Sequence, residues 1–282
     1  MIAVDRTQPW HQTNWDWRAA MHFMFGGAGS GLMVAAPAAP QAWYPAVAAA
    51  GAFAIAVGLF FVWLEIGRPF RALNVLVHAR TSWMTRESWA SLGALCLGIL
   101  AAIQPSPVSQ TLAALAGGFF LYCQGRILTA AKGIPAWRLP IISPLVLMTG
   151  FLEGMALLVF LSAPLTAGLL LCVAVRAALW RRYRGLVMEG AAPEKGQAVL
   201  KRHFFRIELT GTVVPAGLLL FNLSGSLPVV ASIAAVFAFA GGWLFKFILL
   251  TRLGFNQGFA VPKFPHIGGA QDASSRPGWP SC

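Results

Sequence analysis

Residues 18–37 read RAAMHFMFGGAGSGLMVAAP, a stretch of twenty residues with only two ionisable side chains. A helix that crosses the hydrocarbon core of a bilayer needs roughly 20 mostly apolar residues, and this stretch has that length. A phosphate-binding loop is the alternative, but Leu32 stands where the G-x-G-x-x-G pattern that begins at Gly27 requires glycine. We therefore predict a membrane helix in which Gly27 and Gly31 form a G-x-x-x-G pair that lets a neighbouring helix pack closely.

The composition of the whole chain is that of a membrane protein. The 282 residues are 57% hydrophobic and 11% charged, with a mean hydropathy of +0.67, whereas soluble domains carry about 25% charged residues. We predict eight membrane helices near residues 18–37, 44–64, 88–104, 108–128, 141–162, 165–185, 207–223 and 229–251. The predicted fold is an all-α integral membrane domain over residues 1–251, followed by an irregular tail over residues 252–282. A loose similarity between FMFGGAGSGLMV in helix one and LMTGFLEGMALL in helix five fits two four-helix bundles.

The charge distribution predicts the orientation. The formal net charge is +12, which in a soluble protein would suggest nucleic acid as a partner. If eight helices alternate, however, the connections on one side contain no Lys or Arg, namely residues 38–43, 105–107, 163–164 and 224–228. The positive-inside rule then places both termini and the longer connections in the cytoplasm. The basic residues set this orientation and contact anionic lipid, so we expect no nucleic-acid partner.

Polar side chains from several predicted helices reach the cytoplasmic end of the domain at similar depth. These candidates for a binding site are Trp17, His22, Glu65, Arg71, Tyr122 and Arg126. Polar groups in a membrane are costly and usually face a partner or a cavity, and histidine also relays protons near neutral pH. The set suits a quinone, whose head needs hydrogen bonds and protons while its tail stays in lipid. The alternative is that these side chains only anchor the helices at the membrane interface.

Two further charges lie at mid-membrane depth. Glu153 is about halfway along predicted helix five and Arg176 about halfway along helix six, which runs in the opposite direction. An unpaired charge there would be expensive, so we predict that they pair. The pair either neutralises two buried charges or forms part of a proton path. In an alternative function, a proton-coupled secondary transporter, Glu153 and Arg176 would be the transport site.

The sequence argues against other redox groups in this chain. Bis-histidine haem needs two histidines within helices, and only His22 clearly qualifies. The cysteines give no cluster of ligands, because Cys96, Cys123 and Cys172 are scattered through helices and Cys282 is the last residue. We therefore expect no haem, no iron–sulfur cluster and no metal site in this chain.

Two motifs resemble a known family. The run EIGRPFRALNVL at residues 65–76, followed by SWMTRES at residues 82–88, is similar to the signature of NrfD/PsrC-type membrane subunits, which include the anchor of dimethyl sulfoxide reductase. The glycine-rich first helix and the GFNQGF sequence at residues 254–259 fit the same group. The resemblance covers most of the chain, but its motifs lie mainly in the first half.

The resemblance implies eight helices in two bundles, without haem, in the bacterial inner membrane. It implies electron exchange between ubiquinone or menaquinone and an iron–sulfur subunit, which serves a molybdopterin catalytic subunit. By position, His22, Tyr122 and Arg71 match residues of the family's quinone site, while Glu65 stands where some relatives have histidine. Since the longer connections are predicted to be cytoplasmic, we expect the partners there. The chain by itself would not act on the soluble substrate.

Overall fold

The computed structural model describes residues 8–66, 75–77, 79–225 and 227–258, and these ranges are mainly helical. The α-helices are α1 Trp17–Ala35, α2 Tyr44–Glu65, α3 Trp83–Ile103, α4 Pro107–Ala130, α5 Ile142–Val159, α6 Thr166–Leu186, α7 Glu194–Glu208, α8 Val214–Gly225 and α9 Pro228–Thr251. Short 3₁₀ segments, Ala36–Ala38 and Ala163–Leu165, follow α1 and precede α6. Two π-helical turns, Val187–Ala191 and Leu209–Val213, flank α7.

Seven helical segments in the described part of the chain are long and apolar enough to cross a membrane. They are α1 with its 3₁₀ extension, α2, α3, α4, α5, the continuous segment Glu194–Gly225, and α9. Large apolar side chains such as Phe53, Ile103 and Val229 are about 70% exposed on these helices, which suits contact with lipid. The protein is therefore an all-α, multi-pass membrane protein. α6 has a similar length but lies outside this set, because Arg176 and the run WRRYRG make its second half less apolar.

The helices pack as two groups of four. In the first group α1, α2, α3 and α4 contact one another in a closed ring, and in the second α5, α6, α8 and α9 do the same. α1 also contacts α5 and α9, so it lies between the two groups. We call the side at which α1 and α3 begin and α2 and α4 end the basic face.

Glycines allow the close approach of α1 to its neighbours. A Cβ on Gly29 would lie 2.5 Å from the carbonyl oxygen of Gly51 in α2. A Cβ on Gly31 would overlap the carbonyl oxygen of Gly150 in α5, and one on Gly154 would overlap the backbone of Gly31. Gly31 therefore has the packing role that was predicted for it.

Local capping explains why the start of α4 was predicted more accurately than the start of α3. α4 begins at Pro107, within one residue of the prediction, because Ser106 and Ser109 form a capping box. α3 begins at Trp83, five residues before the predicted start, because the Ser82 side chain accepts a hydrogen bond from the Thr85 amide at 3.3 Å. Because of the earlier start, Glu87, the acidic residue of SWMTRES, lies on the helix.

The polar segment 186–206, which lies between the predicted spans 165–185 and 207–223, is largely helical. The turn Val187–Ala191 ends the preceding helix at Gly190, whose φ of 104° favours glycine. α7 then begins at Glu194 and continues through the second π-helical turn into α8. At 1.5 Å per residue, Glu194–Gly225 is about 48 Å long, so it exceeds the roughly 30 Å hydrocarbon core. Its polar first half therefore extends beyond the apolar segment predicted at residues 207–223.

The segments that precede α1 and follow α9 pair with each other. The Gln12 amide donates to the Gly254 carbonyl at 2.8 Å, and the Asn256 amide donates to the Trp10 carbonyl at 3.1 Å. An antiparallel bridge joins His11 to Phe255, and the two rings meet edge to face with centroids 5.1 Å apart. The described part of the predicted tail, residues 252–258, is thus hydrogen-bonded to residues 8–16, which we call the N-terminal arm.

Candidate functional site

A cavity of about 330 Å³ lies between α1, α2 and α3 near the basic face. Its walls are largely apolar and include Leu59, Val62 and Trp63 of α2 and Met84 of α3. Polar side chains from four segments of the chain also line it. Asn14 precedes α1, His22 belongs to α1, Glu65 to α2, and Glu87 and Ser88 to α3. An apolar pocket with a few convergent polar groups is the usual form of a small-molecule site.

His22 and Glu87 form the most buried polar pair of the cavity. The imidazole Nε2 lies 2.6 Å from Glu87 Oε1, and the two residues are only 4% and 8% exposed. The other ring nitrogen, Nδ1, is buried and makes no hydrogen bond of ordinary geometry to the described residues, although the Gly58 backbone lies close enough to the ring to interact with it. The Glu87 carboxylate therefore fixes the orientation of the ring.

The sequence analysis did not include Glu87 in the site. The predicted start of α3 at residue 88 left Glu87 outside the helix. Because α3 begins at Trp83, Glu87 lies a full turn inside it and faces α1. The serine at position 82, an N-cap residue type, is the signal that could have found it.

Glu65 and Trp17 have different positions relative to the cavity. Glu65, the last residue of α2, lines it and lies within electrostatic range of His22. Trp17 is not among the lining residues and packs edge to face on Phe61, with centroids 5.8 Å apart. Its ring is half exposed, as expected of an interfacial anchor.

An ion pair at the start of α1 holds the end of α2. Asp16 caps α1, accepting from the Arg18 amide at 2.7 Å, and its carboxylate lies 2.8 Å from the Arg18 guanidinium. The Arg18 side chain also donates to the Leu64 carbonyl at 2.8 Å. The hydrogen bond from Arg18 lowers the pKa of Asp16 below its usual value of 3.8, so the ion pair persists to lower pH than that of an ordinary aspartate.

Tyr122 and Arg126 do not line this cavity, so the predicted site is divided. They form a separate cluster with Trp83, which we call the tryptophan cluster. The Tyr122 ring meets Trp83 edge to face at 5.8 Å, and the Arg126 guanidinium lies 4.8 Å from the Trp83 ring centroid. Arg86 lies over the same ring at 4.3 Å. Such cation–π contacts stabilise the α3–α4 packing at the basic face. Arg71 lies outside the described residues.

A second polar pair is buried deep between the two helix groups. Lys246 Nζ of α9 lies 2.6 Å from Glu153 Oε2 of α5, with side chains 1% and 0% exposed. The prediction that Glu153 pairs with Arg176 is therefore wrong in its partner. Arg176 instead donates from Nη1 to the Gly211 carbonyl at 3.3 Å. It remains within electrostatic range of Glu153 because both are buried in the second group.

Lys246 was overlooked because it lies in the otherwise apolar run FAFAGGWLFKFILL. One lysine there does not prevent the segment from crossing a membrane, so a composition window does not reveal it. Its cost is high, since charged groups at the bilayer centre are rare unless they are paired. A lone lysine inside a predicted span, five residues before its end at Thr251, is itself the signal that Glu153 has a cationic partner.

Gln124 and Gly27 connect the cavity to this deep pair. Gln124 is fully buried, and its side-chain amide donates to the His22 carbonyl at 3.4 Å. A Cβ on Gly27 would lie 3.3 Å from Gln124 Oε1 and would overlap Lys246 Nζ. Gly27 therefore makes room for polar side chains, whereas Gly31 makes room for a helix.

The described residues contain no group of three or more His, Cys, Asp or Glu side chains that could hold a metal ion. Comparison with protein-family models and with curated proteins gives no match to this chain. Functional assignment therefore rests on the geometry of the cavity and on the residues that surround it.

Proposed function

We propose that this protein is the quinone-reactive membrane subunit of a respiratory oxidoreductase complex. The observation that carries the proposal is the buried His22–Glu87 pair, which lies in an apolar-walled cavity between α1, α2 and α3. The resemblance to NrfD/PsrC-type subunits supports the same class. The proposed protein has eight membrane spans, with α6 as the span beyond the seven apolar segments, and lies in the bacterial inner membrane with its basic face in the cytoplasm.

The residues of the cavity fit the head of a quinone. His22 brings an imidazole ring that is held by Glu87, and Glu65 adds a carboxyl group to the lining of the cavity. A volume of about 330 Å³ is at the small end of ligand pockets, which suits a head group whose tail extends into lipid. Ubiquinone and menaquinone both have a head group whose two oxygens need hydrogen bonds.

In the proposed mechanism the chain binds, orients and supplies protons. His22 donates a hydrogen bond to one oxygen of the head, and Glu87 holds the ring and stabilises the imidazolium after proton exchange. Leu59 and Val62 exclude water from the head and favour its apolar ring. A bound quinone supplies the two-electron redox chemistry. Electrons pass between the quinone and an iron–sulfur subunit at the basic face, which connects to a molybdopterin catalytic subunit.

Direct binding of short-tailed ubiquinone and menaquinone analogues to the purified full-length chain in nanodiscs tests the site. We expect His22→Ala and Glu87→Gln each to weaken binding about 10-fold or more, since each removes a hydrogen bond to a charged group. Glu194→Gln changes an exposed carboxylate of α7 and should bind like the unmodified protein. Equal affinity in all four proteins would refute the cavity as the quinone site.

The partners are tested by gentle purification of the native complex. Molybdenum, iron and bound quinone should copurify with the chain. A lone chain with no iron and no quinone would contradict the proposal.

A proton-coupled transporter is the second candidate, and the buried Lys246–Glu153 pair is the observation that favours it. In that case Lys246 rather than Arg176 would be the cation nearest the substrate or proton site. A solute flux into proteoliposomes that requires a pH gradient and no redox partner would support transport and oppose the quinone proposal.

A further inference from the structure

A row of polar side chains crosses the interior of both helix groups, and the quinone site accounts only for its first members. The row contains Glu87, His22, Gln124, Lys246, Glu153, Arg176 and Glu208, contributed by helices α1, α3, α4, α5, α6, α7 and α9. Buried polar groups in a membrane protein are expensive and usually mark an ion or proton pathway. The row therefore calls for an explanation beyond helix packing.

The first half of the row leads from the cavity to the deep ion pair. Glu87 bonds His22 at 2.6 Å, and the Gln124 amide donates to the His22 backbone at 3.4 Å. Gln124 Oε1 and Lys246 Nζ both lie against Gly27, because a Cβ there would lie 3.3 Å from the amide oxygen and would overlap the amine. Lys246 continues to Glu153 at 2.6 Å. The first group is thus linked to the second through side chains.

The second half of the row leads from the deep pair back to the basic face. Arg176 lies within electrostatic range of both Glu153 and Glu208. Its Nη1 donates to Gly211 in the π-helical turn, and a Cβ on that glycine would lie 2.6 Å from the same atom. Glu208 Oε1 accepts from Arg181 at 2.8 Å, and the Arg181 side chain is 62% exposed. Glu208 is thus the point at which the row reaches solvent or headgroups.

Five of the seven members of the row have a buried polar atom without a hydrogen-bonding partner in the described part of the chain. These atoms are His22 Nδ1, Gln124 Oε1, Glu153 Oε1, Arg176 Nε and Nη2, and Glu208 Oε2. Native proteins satisfy such atoms with ordered water when no side chain does so. A structural ion pair would explain Lys246 and Glu153, but it would not explain the unpartnered atoms of Gln124, Arg176 and Glu208 on either side of them.

We propose that this row is a proton route between the basic face at Glu208 and the cavity at His22 and Glu87. The inference rests on the proposed quinone function, because it assigns the source of the site's protons. Reduction of one quinone takes two electrons from the iron–sulfur partner and two protons through the route, and oxidation returns both. Within the chain only protons move. The carboxyls of Glu208 and Glu153, the Lys246 amine and the His22 ring exchange them through bridging water, while Arg176 stays charged.

The test uses Glu208→Gln and Glu153→Gln in the native complex, with quinol oxidation by a dye acceptor as the assay. We expect each variant to bind quinone with unchanged affinity, to keep its KM, and to lose about 10-fold or more in kcat. Small weak acids such as azide should restore part of the rate, because they carry protons past a missing carboxyl. Glu194→Gln, an exposed carboxylate at the other end of α7, is the matched control and should not change kcat.

Two results would decide against the route. Normal kcat in Glu208→Gln would show that protons do not enter there. A slow Glu153→Gln that weak acids do not rescue would indicate a purely structural pair. If Glu153→Gln does not assemble, Glu208→Gln alone decides, since it lies near the surface. Failure of the unmodified complex to bind quinone is a different outcome, because it refutes the proposed function itself and removes the route with it.

Discussion

At the scale of single residues, the two buried polar sites are defined by which side chains pair with each other. His22 meets Glu87 on α3, and Glu153 meets Lys246 on α9. In both cases the sequence predicted the depth of the polar residue in the membrane, and the structure pairs that residue with one from a helix distant in sequence. The cost of burying an unpaired charge explains why each is paired.

The deep ion pair gives a prediction about stability. Lys246→Met should lower the free energy of unfolding by about 3–5 kcal/mol, because Glu153 would then be buried without its partner. The double variant Lys246→Met with Glu153→Met should recover most of this loss, since both buried charges are gone. The measurement is thermal or denaturant unfolding in a mild detergent.

The matched control for that experiment is Lys201→Met, which removes an exposed lysine of α7. It should leave the unfolding transition unchanged. A double variant as unstable as Lys246→Met would show that the ion pair contributes more than charge compensation.

At the scale of elements, α1 connects the two helix groups through residues without side chains. It approaches α2 at Gly29, approaches α5 at Gly31, and leaves space for polar groups at Gly27. The absence of a Cβ therefore allows helix packing at Gly31 and, one turn earlier, leaves room for polar side chains at Gly27. The π-helical turn in the segment from α7 to α8 similarly directs the Gly211 carbonyl at Arg176.

The contact between α1 and α5 gives a prediction about assembly. Gly31→Ala should prevent the close approach and sharply reduce the yield and melting temperature of monodisperse protein, because the added Cβ would overlap backbone atoms of Gly150. Gly217→Ala in α8 is the control, since nothing lies within 4 Å of its Cβ position. It should be neutral or stabilising by about 1 kcal/mol, the difference in helix propensity. Equal melting temperatures for the two variants would contradict the packing role.

At the scale of the whole molecule, the two ends of the described chain are joined at the basic face. The N-terminal arm pairs with the segment after α9, and Lys195 at the start of α7 donates to the Pro9 carbonyl at 3.1 Å. This surface also carries the cytoplasmic partner in the proposed complex. Because Asn14 precedes α1 and lines the cavity, the pairing links the cavity to the surface where the proposed partner would bind.

The pairing of the ends should depend on pH through His11. Burial lowers the pKa of His11 below its usual value of 6.5, so the paired state binds fewer protons than the free state. Its stability is fully present above about pH 6.5 and is lost as the pH falls below that value. Protection from hydrogen exchange at residues 10–12 and 254–256, measured relative to the intrinsic exchange rate at each pH, should fall between pH 7 and roughly pH 5. His11→Phe keeps a ring against Phe255 and should remove this pH dependence of the protection; a fall in protection that persists in the variant would exclude His11 as the cause.

The sequence by itself determined the class of protein, the approximate helices and the depth of most polar groups, because apolar length and charge content are local properties. It located His22, Glu65, Glu153 and Arg176 as buried or interfacial polar residues. The tertiary structure decided the rest: the inclusion of Glu87 in the cavity, the separation of Tyr122 and Arg126 from it, and Lys246 as the partner of Glu153. Pairing depends on which faces of distant helices meet, and that is fixed by close packing at residues such as Gly31 rather than by spacing along the chain.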